Sequence, residues 1–230
     1  GIFAQLPYGT LAEFLDLRTW LFAQLAWNPY LDAHRLVAEF LAGHYGAAAP
    51  YLQRYIDLLE TARDRRRGTW IGVYSEETSH WLTADDVLDG MALFDQALAA
   101  TAADPAAHRR VDGLRASILM TAILRYNEVA EAARKRGITL PERSAMIDDL
   151  EALGREFQCT TYKEWDDFSN LIKRLRETPA PPVPDHTAQV PVTIGAEQLT
   201  GHGVTVVERE HDGKAARLAV DAAALGYPFM

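Results

Sequence analysis

The stretch Leu25-Ala26-Trp27-Asn28-Pro29-Tyr30-Leu31-Asp32 decides how this chain is read. It closes one apolar helical segment and opens another, because proline cannot continue a helix and Asp32 stands where a cap for the next helix belongs. Upstream, Leu11, Phe14, Leu15, Leu21, Phe22 and Leu25 recur at helical spacing, with Thr10 placed to cap them. Leu17, Trp20 and Trp27 make a second face apolar. The helix is therefore expected to be covered on two sides, with Trp20 and Trp27, two turns apart, in the core.

The same grammar continues downstream. Leu36, Val37, Phe40 and Leu41 form the inward stripe of a second helix, and Gly46 is placed for a left-handed stop. Pro50 sits near the start of a third, with Leu52, Tyr55, Ile56 and Leu59, whose last turn carries Arg63, Arg65, Arg66 and Arg67. Thr83 with Asp86 reads as a capping box ahead of Val87, Leu88, Met91, Phe94 and Leu98. Asp104-Pro105 is the clearest start signal, and the helix it opens reaches Gly137, roughly 45–50 Å at 1.5 Å per residue. A helix from Pro141 carries Met146, Ile147, Leu150, Leu153 and Phe157, and a last one carries Trp165, Phe168, Leu171, Ile172 and Leu175. The sum is a mainly α fold, an irregular bundle of about seven helices, with a small C-terminal β tail.

Domain organisation follows from changes of composition. Residues 10–178 read as the α-helical domain, and 179–187, containing Pro179-Ala180-Pro181-Pro182-Val183-Pro184, as a stiff linker. Residues 188–230 form a β segment, with strand composition at 190–194, 204–209 and 216–220 and a hairpin turn at Asp212-Gly213. Gly1-Ile2-Phe3-Ala4-Gln5 suits one strand whose partners lie elsewhere, since a lone strand cannot satisfy its own backbone groups. The absence of an initiator Met suggests a piece of something longer.

Composition removes several function classes. Of 230 residues 48% are hydrophobic and 24% charged, an ordinary globular mix. The net charge of −9 repels phosphate backbones, so nucleic acid is not an expected partner. No apolar run approaches the ~20 residues of a membrane span, so no membrane is expected either. The single cysteine, Cys159, excludes an internal disulfide and fits a reducing or an oxidising compartment. Self-association stays open.

No reactive constellation stands out. The seven histidines (34, 44, 80, 108, 186, 202 and 211) show no metal-ligand spacing, so no metal is expected, and no phosphate loop, dinucleotide fingerprint or nucleophile elbow implies a cofactor. Glu76, Glu77, Asp85, Asp86 and Asp89 cluster as a glycosidase's carboxylates would, but acids in the first turns of a helix also complement its dipole. Arg18 interrupts an apolar stripe and needs a carboxylate partner. Among the aromatics, Trp70 and Trp81 fall in the long 68–82 connection, where they could stack on a sugar ring. Cys159 reads as a small buried hydrophobe.

Several of these motifs together resemble a family. Gly-Ile-Phe-Ala-Gln, then Leu17-Arg18-x-Trp20-Leu21-x-x-x-Leu25-x-Trp27-Asn28-Pro29, then Glu39-Phe40-Leu41-x-x-x-Tyr45-Gly46 with Ala48-Ala49 and Tyr55, are similar to domain-of-unknown-function family 4838. Trp81-Leu82-Thr83, Leu93-Phe94-Asp95-x-Ala97, Asp104-Pro105 and Arg110-Val111 extend the likeness to about residue 175. In that family a helical region follows a barrel in bacterial proteins that look like glycoside hydrolases, and the Trp-Asn-Pro step also looks like the barrel-to-helix junction of alpha-glucuronidases and of glycosidases acting on N-acetylglucosamine. The resemblance implies that residues 1–9 are the last strand and loop of an upstream (β/α)8 barrel, and that Gln5 and Tyr8 lie nearest a sugar site. It implies no catalytic residue here, because the acid/base carboxylates would sit on earlier strands. The expected role is a non-catalytic helical region that completes or supports the barrel of a glycoside hydrolase and lines its sugar cleft, reaching carbohydrate through the parent protein. The alternative is a helical scaffold for protein interaction.

Overall fold

The computed structural model describes residues 9, 11–66, 76–163, 165–183, 204–208 and 216–220, the last two stretches by backbone alone. Among them are nine α-helices: α1 (Leu15–Trp27), α2 (Ala33–Tyr45), α3 (Ala49–Arg65), α4 (Ala84–Ala100), α5 (Pro105–Leu114), α6 (Ala116–Leu124), α7 (Tyr126–Arg136), α8 (Arg143–Glu156) and α9 (Phe168–Glu177). A short 3-10 turn, Gly46–Ala48, joins α2 to α3. Strands β1 (Thr161–Lys163) and β2 (Asp166–Asp167) pair antiparallel between α8 and α9. The chain divides into two units, Gly1–Pro184 and Asp185–Met230. In the second, β3 (Val204–Glu208) and β4 (Ala216–Val220) form an antiparallel pair with Val204 opposite Val220. The fold is mainly helical with a small C-terminal β element. The expected strands at 1–5 and 190–194, the Thr10 cap and the Asp212-Gly213 turn lie outside the described residues.

Side-chain caps place three of the helix starts, those of α2, α4 and α5. Asp32 accepts from the backbone N–H groups of His34 (2.9 Å) and Arg35 (3.2 Å), and Asp104 from those of Ala106 and Ala107, both at 3.1 Å. Thr83 and Asp86 close a reciprocal capping box: Asp86 N donates to Thr83 Oγ1 (3.1 Å) and Thr83 N to Asp86 Oδ2 (2.8 Å). Each cap satisfies donors that a helix N-terminus leaves without intrahelical partners. Gly46 has a positive φ, +54°, but its ψ of −123° is not the left-handed stop expected of it, and the chain runs on into the 3-10 turn.

The core is organised around α4, which touches α3, α5, α6 and α7. It buries Val87, Leu88, Leu93, Phe94 and Ala97. The apolar sequence of α6 is explained by its place: Ile118, Leu119, Ala122 and Ile123 are all buried, as an all-round apolar helix requires. At the α8–α9 crossing the ring of Phe168 lies where a side chain on Gly154 would be, 2.1 Å from the position of a Cβ. Only glycine permits that approach.

Three expectations change. The helix expected from Leu11 begins at Leu15, preceded by Phe14 at φ +49°, an unusual left-handed conformation for a non-glycine residue. The long helix from Pro105 is interrupted at Arg115 and Arg125, the second with φ −109° and ψ 28°. Trp165 is not helical: it stands in the β1–β2 turn, fully exposed and with φ +66°.

The bend at Arg125 has a physical cause. Its guanidinium is 5% exposed, pairs with Glu128 (Nε–Oε2 3.0 Å, Nη2–Oε1 2.8 Å), and donates through Nη1 to Leu82 O (2.8 Å) and Thr78 Oγ1 (3.1 Å). One side chain thus binds the α6–α7 bend to the segment leading into α4. Breaking a buried ion pair strands the other charge, at a cost of about 3–5 kcal/mol. R125A should therefore lower the free energy of unfolding by about that amount in urea titration, whereas R125M/E128L, which removes both charges, should cost clearly less. Equal losses in the two variants would refute this account.

Candidate functional site

Of the four residues expected to face a sugar, Gln5, Tyr8 and Trp70 lie outside the described residues. Trp81 is half-buried and packs against the core, in the segment that Arg125 holds. That segment, residues 76–82, is anchored at its start as well. Glu76 receives a two-pronged contact from Arg174 (2.7 and 2.8 Å) and another from Lys163 (3.3 Å). Burial alone would raise the Glu76 carboxyl, but hydrogen bonds from Arg174, Tyr162 and Lys163 hold it below its ordinary range.

The remaining acids of the 76–89 cluster are likewise engaged. Glu77 accepts from Ser79 N at 2.6 Å. Asp86 belongs to the capping box and pairs with Arg65. Asp85 and Asp89 both meet Arg136, Asp89 at 2.7 Å. Asp85 and Asp86 stand in the first turn of α4, as the dipole reading expects, whereas Glu76 is held by an ion pair with Arg174 and Glu77 by a local turn.

A carboxylate that the sequence did not single out is more unusual. Glu13, half-buried, lies between the left-handed Phe14 and the preceding turn, where Ala12 N donates to Gly9 O at 2.9 Å. Its Oε1 accepts from the Tyr55 hydroxyl of α3 at 2.7 Å. The Phe14 ring sits 6.1 Å from the Tyr55 ring, so the left-handed turn places both residues against α3. Burial raises the Glu13 carboxyl above its ordinary range, and the Tyr55 hydroxyl and the Arg18 guanidinium offset only part of that. Arg18, expected to need a carboxylate, acts on Glu13. The available signal was an acid set inside the Leu11/Phe14/Leu15 stripe.

The outer face of α1 corrects another expectation. Trp27 is 91% exposed, not in the core, and Tyr30 beyond it is 95% exposed; Phe22 and Leu31 are exposed as well. Within α1 only Leu17 is fully buried, so the helix is covered on one side. Trp20 does pack, with its ring 5.3 Å from that of Phe40. Cys159 is half-buried, and its thiol donates to Thr161 O at 3.3 Å.

This architecture is an irregular α-helical bundle whose opening helix keeps an apolar face in solvent. Residues 2–57, which run through α1 and α2 into α3, match the model of the family described as Domain of unknown function (DUF4838). The resemblance read from the sequence is thereby shown for the opening segment. No curated protein and no solved structure matches the chain.

Glu13 and Glu76 give stability opposite dependences on pH. The folded state holds the Glu13 proton above the ordinary value of 4.5, so this group favours folding most below that value and loses its contribution as pH rises through the folded pKa. Glu76 titrates below 4.5 when folded, so its contribution is complete above 4.5 and is lost as pH falls through the folded pKa. In melting curves from about pH 3 to about pH 8, E13Q should remove a decline on the alkaline side and E76Q a decline on the acid side. Profiles parallel to wild type would refute both assignments.

Proposed function

We propose that this chain is a non-catalytic helical region of a carbohydrate-active protein of the glycoside hydrolase type, completing or supporting an upstream (β/α)8 barrel. The observation that carries the reading is the exposed apolar face of α1 and its turn, Phe22, Trp27, Tyr30 and Leu31, lying inside the segment that matches the family. Large apolar side chains left exposed this close together in the chain suit an interaction face, and the upstream barrel is the occupant that the family resemblance implies. In this arrangement Gln5, Tyr8 and the 68–82 stretch with Trp70 and Trp81 line the sugar cleft, since barrel enzymes bind substrate at the C-terminal ends of their strands. The engagement of Glu76, Asp85, Asp86 and Asp89 in caps and ion pairs supports the absence of chemistry of its own.

Two measurements test the reading. The chain alone should turn over none of a broad panel of aryl glycosides; activity that E76Q or D85N abolishes would overturn it. W27S/Y30S should leave the stability of the isolated chain within about 0.5 kcal/mol of wild type, as surface changes do. In the protein together with its upstream sequence, the same pair should lower the melting temperature and open the junction to proteolysis. If instead it leaves the longer protein unchanged and abolishes capture of a separate protein partner, the helical-scaffold reading replaces this one.

A further inference from the structure

Trp165 stands in the β1–β2 turn fully exposed, with φ +66°. A left-handed backbone is unfavourable for a bulky residue by roughly 1–2 kcal/mol. An indole left in water also forgoes one of the largest burial gains open to any side chain. At full exposure the ring packs on nothing among the described residues, so neither cost is offset there.

The base of the same hairpin, by contrast, is firmly tied. Phe168 N donates to Thr160 O at 2.9 Å, and the Cys159 thiol to Thr161 O at 3.3 Å. β1 then receives two distant parts of the chain. A side chain on Gly9 would lie 3.5 Å from Thr161 O, so the approach to α1 runs against β1. Two residues along, Lys163 Nζ lies 3.3 Å from Glu76 Oε1, and Tyr162 hydrogen-bonds the same carboxylate. Arg174 of α9 holds that carboxylate as well, at 2.7 and 2.8 Å.

Gly9 and Glu76 are the first described residues after 1–8 and after 67–75. Those are the stretches with Gln5, Tyr8 and Trp70, which the function proposed above places at the sugar cleft of the barrel. Both therefore lead to one strand, and Trp165 lies four residues beyond Thr161, no more than about 14 Å along the backbone.

Resting on that reading, we infer that Trp165 is a second anchor of the helical unit on the upstream barrel domain. The tip of the β1–β2 hairpin lays its indole against that domain, beside the cleft, while Phe22, Trp27, Tyr30 and Leu31 make the first contact. Tryptophan is enriched among the few residues that carry most of an interface's binding energy. A ring presented by a backbone already fixed on a paired hairpin leaves little to order on contact. The upstream domain is favoured over other occupants because both stretches assigned to it converge on β1.

The test is hydroxyl-radical footprinting of the 230-residue chain and of the protein together with its upstream sequence, read at Trp27, Tyr30 and Trp165 by mass spectrometry. In the longer protein Trp165 should react about tenfold more slowly than in the chain alone, because water is excluded around an anchoring ring. Trp27 and Tyr30 should slow with it. W165G, whose glycine accepts a positive φ without strain, should not lower the melting temperature of the chain alone. In the longer protein it should hasten proteolysis at the junction. If Trp27 and Tyr30 are protected and Trp165 is not, the second anchor is refuted and the proposed function stands. If none of the three is protected, both fall. Protection of Trp165 in the chain alone that grows with protein concentration assigns the ring to a second copy. Protection that needs added cello-, xylo- or chito-oligosaccharides assigns it to a sugar, and a chain destabilised by W165G shows that Trp165 serves its own fold. Any of these three results overturns the inference.

Discussion

A single buried cation holds the two halves of the helical unit in register. Arg125 interrupts the helical run that begins at Pro105, and its guanidinium satisfies Glu128, Thr78 and the carbonyl of Leu82 at once. A charge removed from water in this way must be matched by a counter-charge and filled with hydrogen bonds, or it destabilises. The arrangement therefore determines two things that hydrophobic packing alone would leave loose. It sets the angle between α6 and α7, and it sets the path of the chain into α4, the helix on which the core is built. Arg115 does similar work at the preceding break, where it reaches Asp149 of α8 at 2.8 Å. Arg143 donates to Leu175 O at the end of α9, also at 2.8 Å.

By contrast α1 and the turn that leads into it are lightly held. Phe14 adopts a left-handed conformation that a bulky residue accepts only when its surroundings enforce it. Here the enforcement comes from burial of the Phe14 ring against Tyr55 and from the Tyr55–Glu13 hydrogen bond. Beyond that point α1 fully buries only Leu17; Trp20 packs on Phe40, while Phe22 and Trp27 are exposed. Under the proposed function, an upstream domain would cover the apolar side chains that α1 leaves exposed. That logic links the strained entry, the half-buried acid and the exposed aromatic turn to the junction role proposed for this segment.

Legibility differed between these regions for a plain reason. Asp32, Asp104 and the Thr83/Asp86 box were readable because a cap is made by atoms no more than three residues apart. The place of Asp85 and Asp86 in the first turn of α4 was readable on the same ground, though the ion-pair partners Arg65, Arg136 and, for Glu76, Arg174 were not. Glu13 was passed over because its partner, Tyr55, is 42 residues away. Trp27 was misplaced because periodicity reports which side of a helix is apolar, not whether anything covers it. Trp165 stands outside the helix because the hairpin ends at Asp167, so the apolar stripe from Phe168 to Leu175 cannot extend a turn further back.

By itself, then, the sequence determined the helical class, the order and caps of the helices, the tail of different composition and the likeness of its opening segment to a family. All of these are carried by residues close in the chain or by composition. Only the tertiary structure decided that the long run from Pro105 bends at Arg125, that Trp27 stands in solvent, that Glu13 meets Tyr55, and that β1 receives both Gly9 and Glu76. Each of those is a meeting of distant residues under competing costs of burial, and a linear pattern does not say which meeting wins.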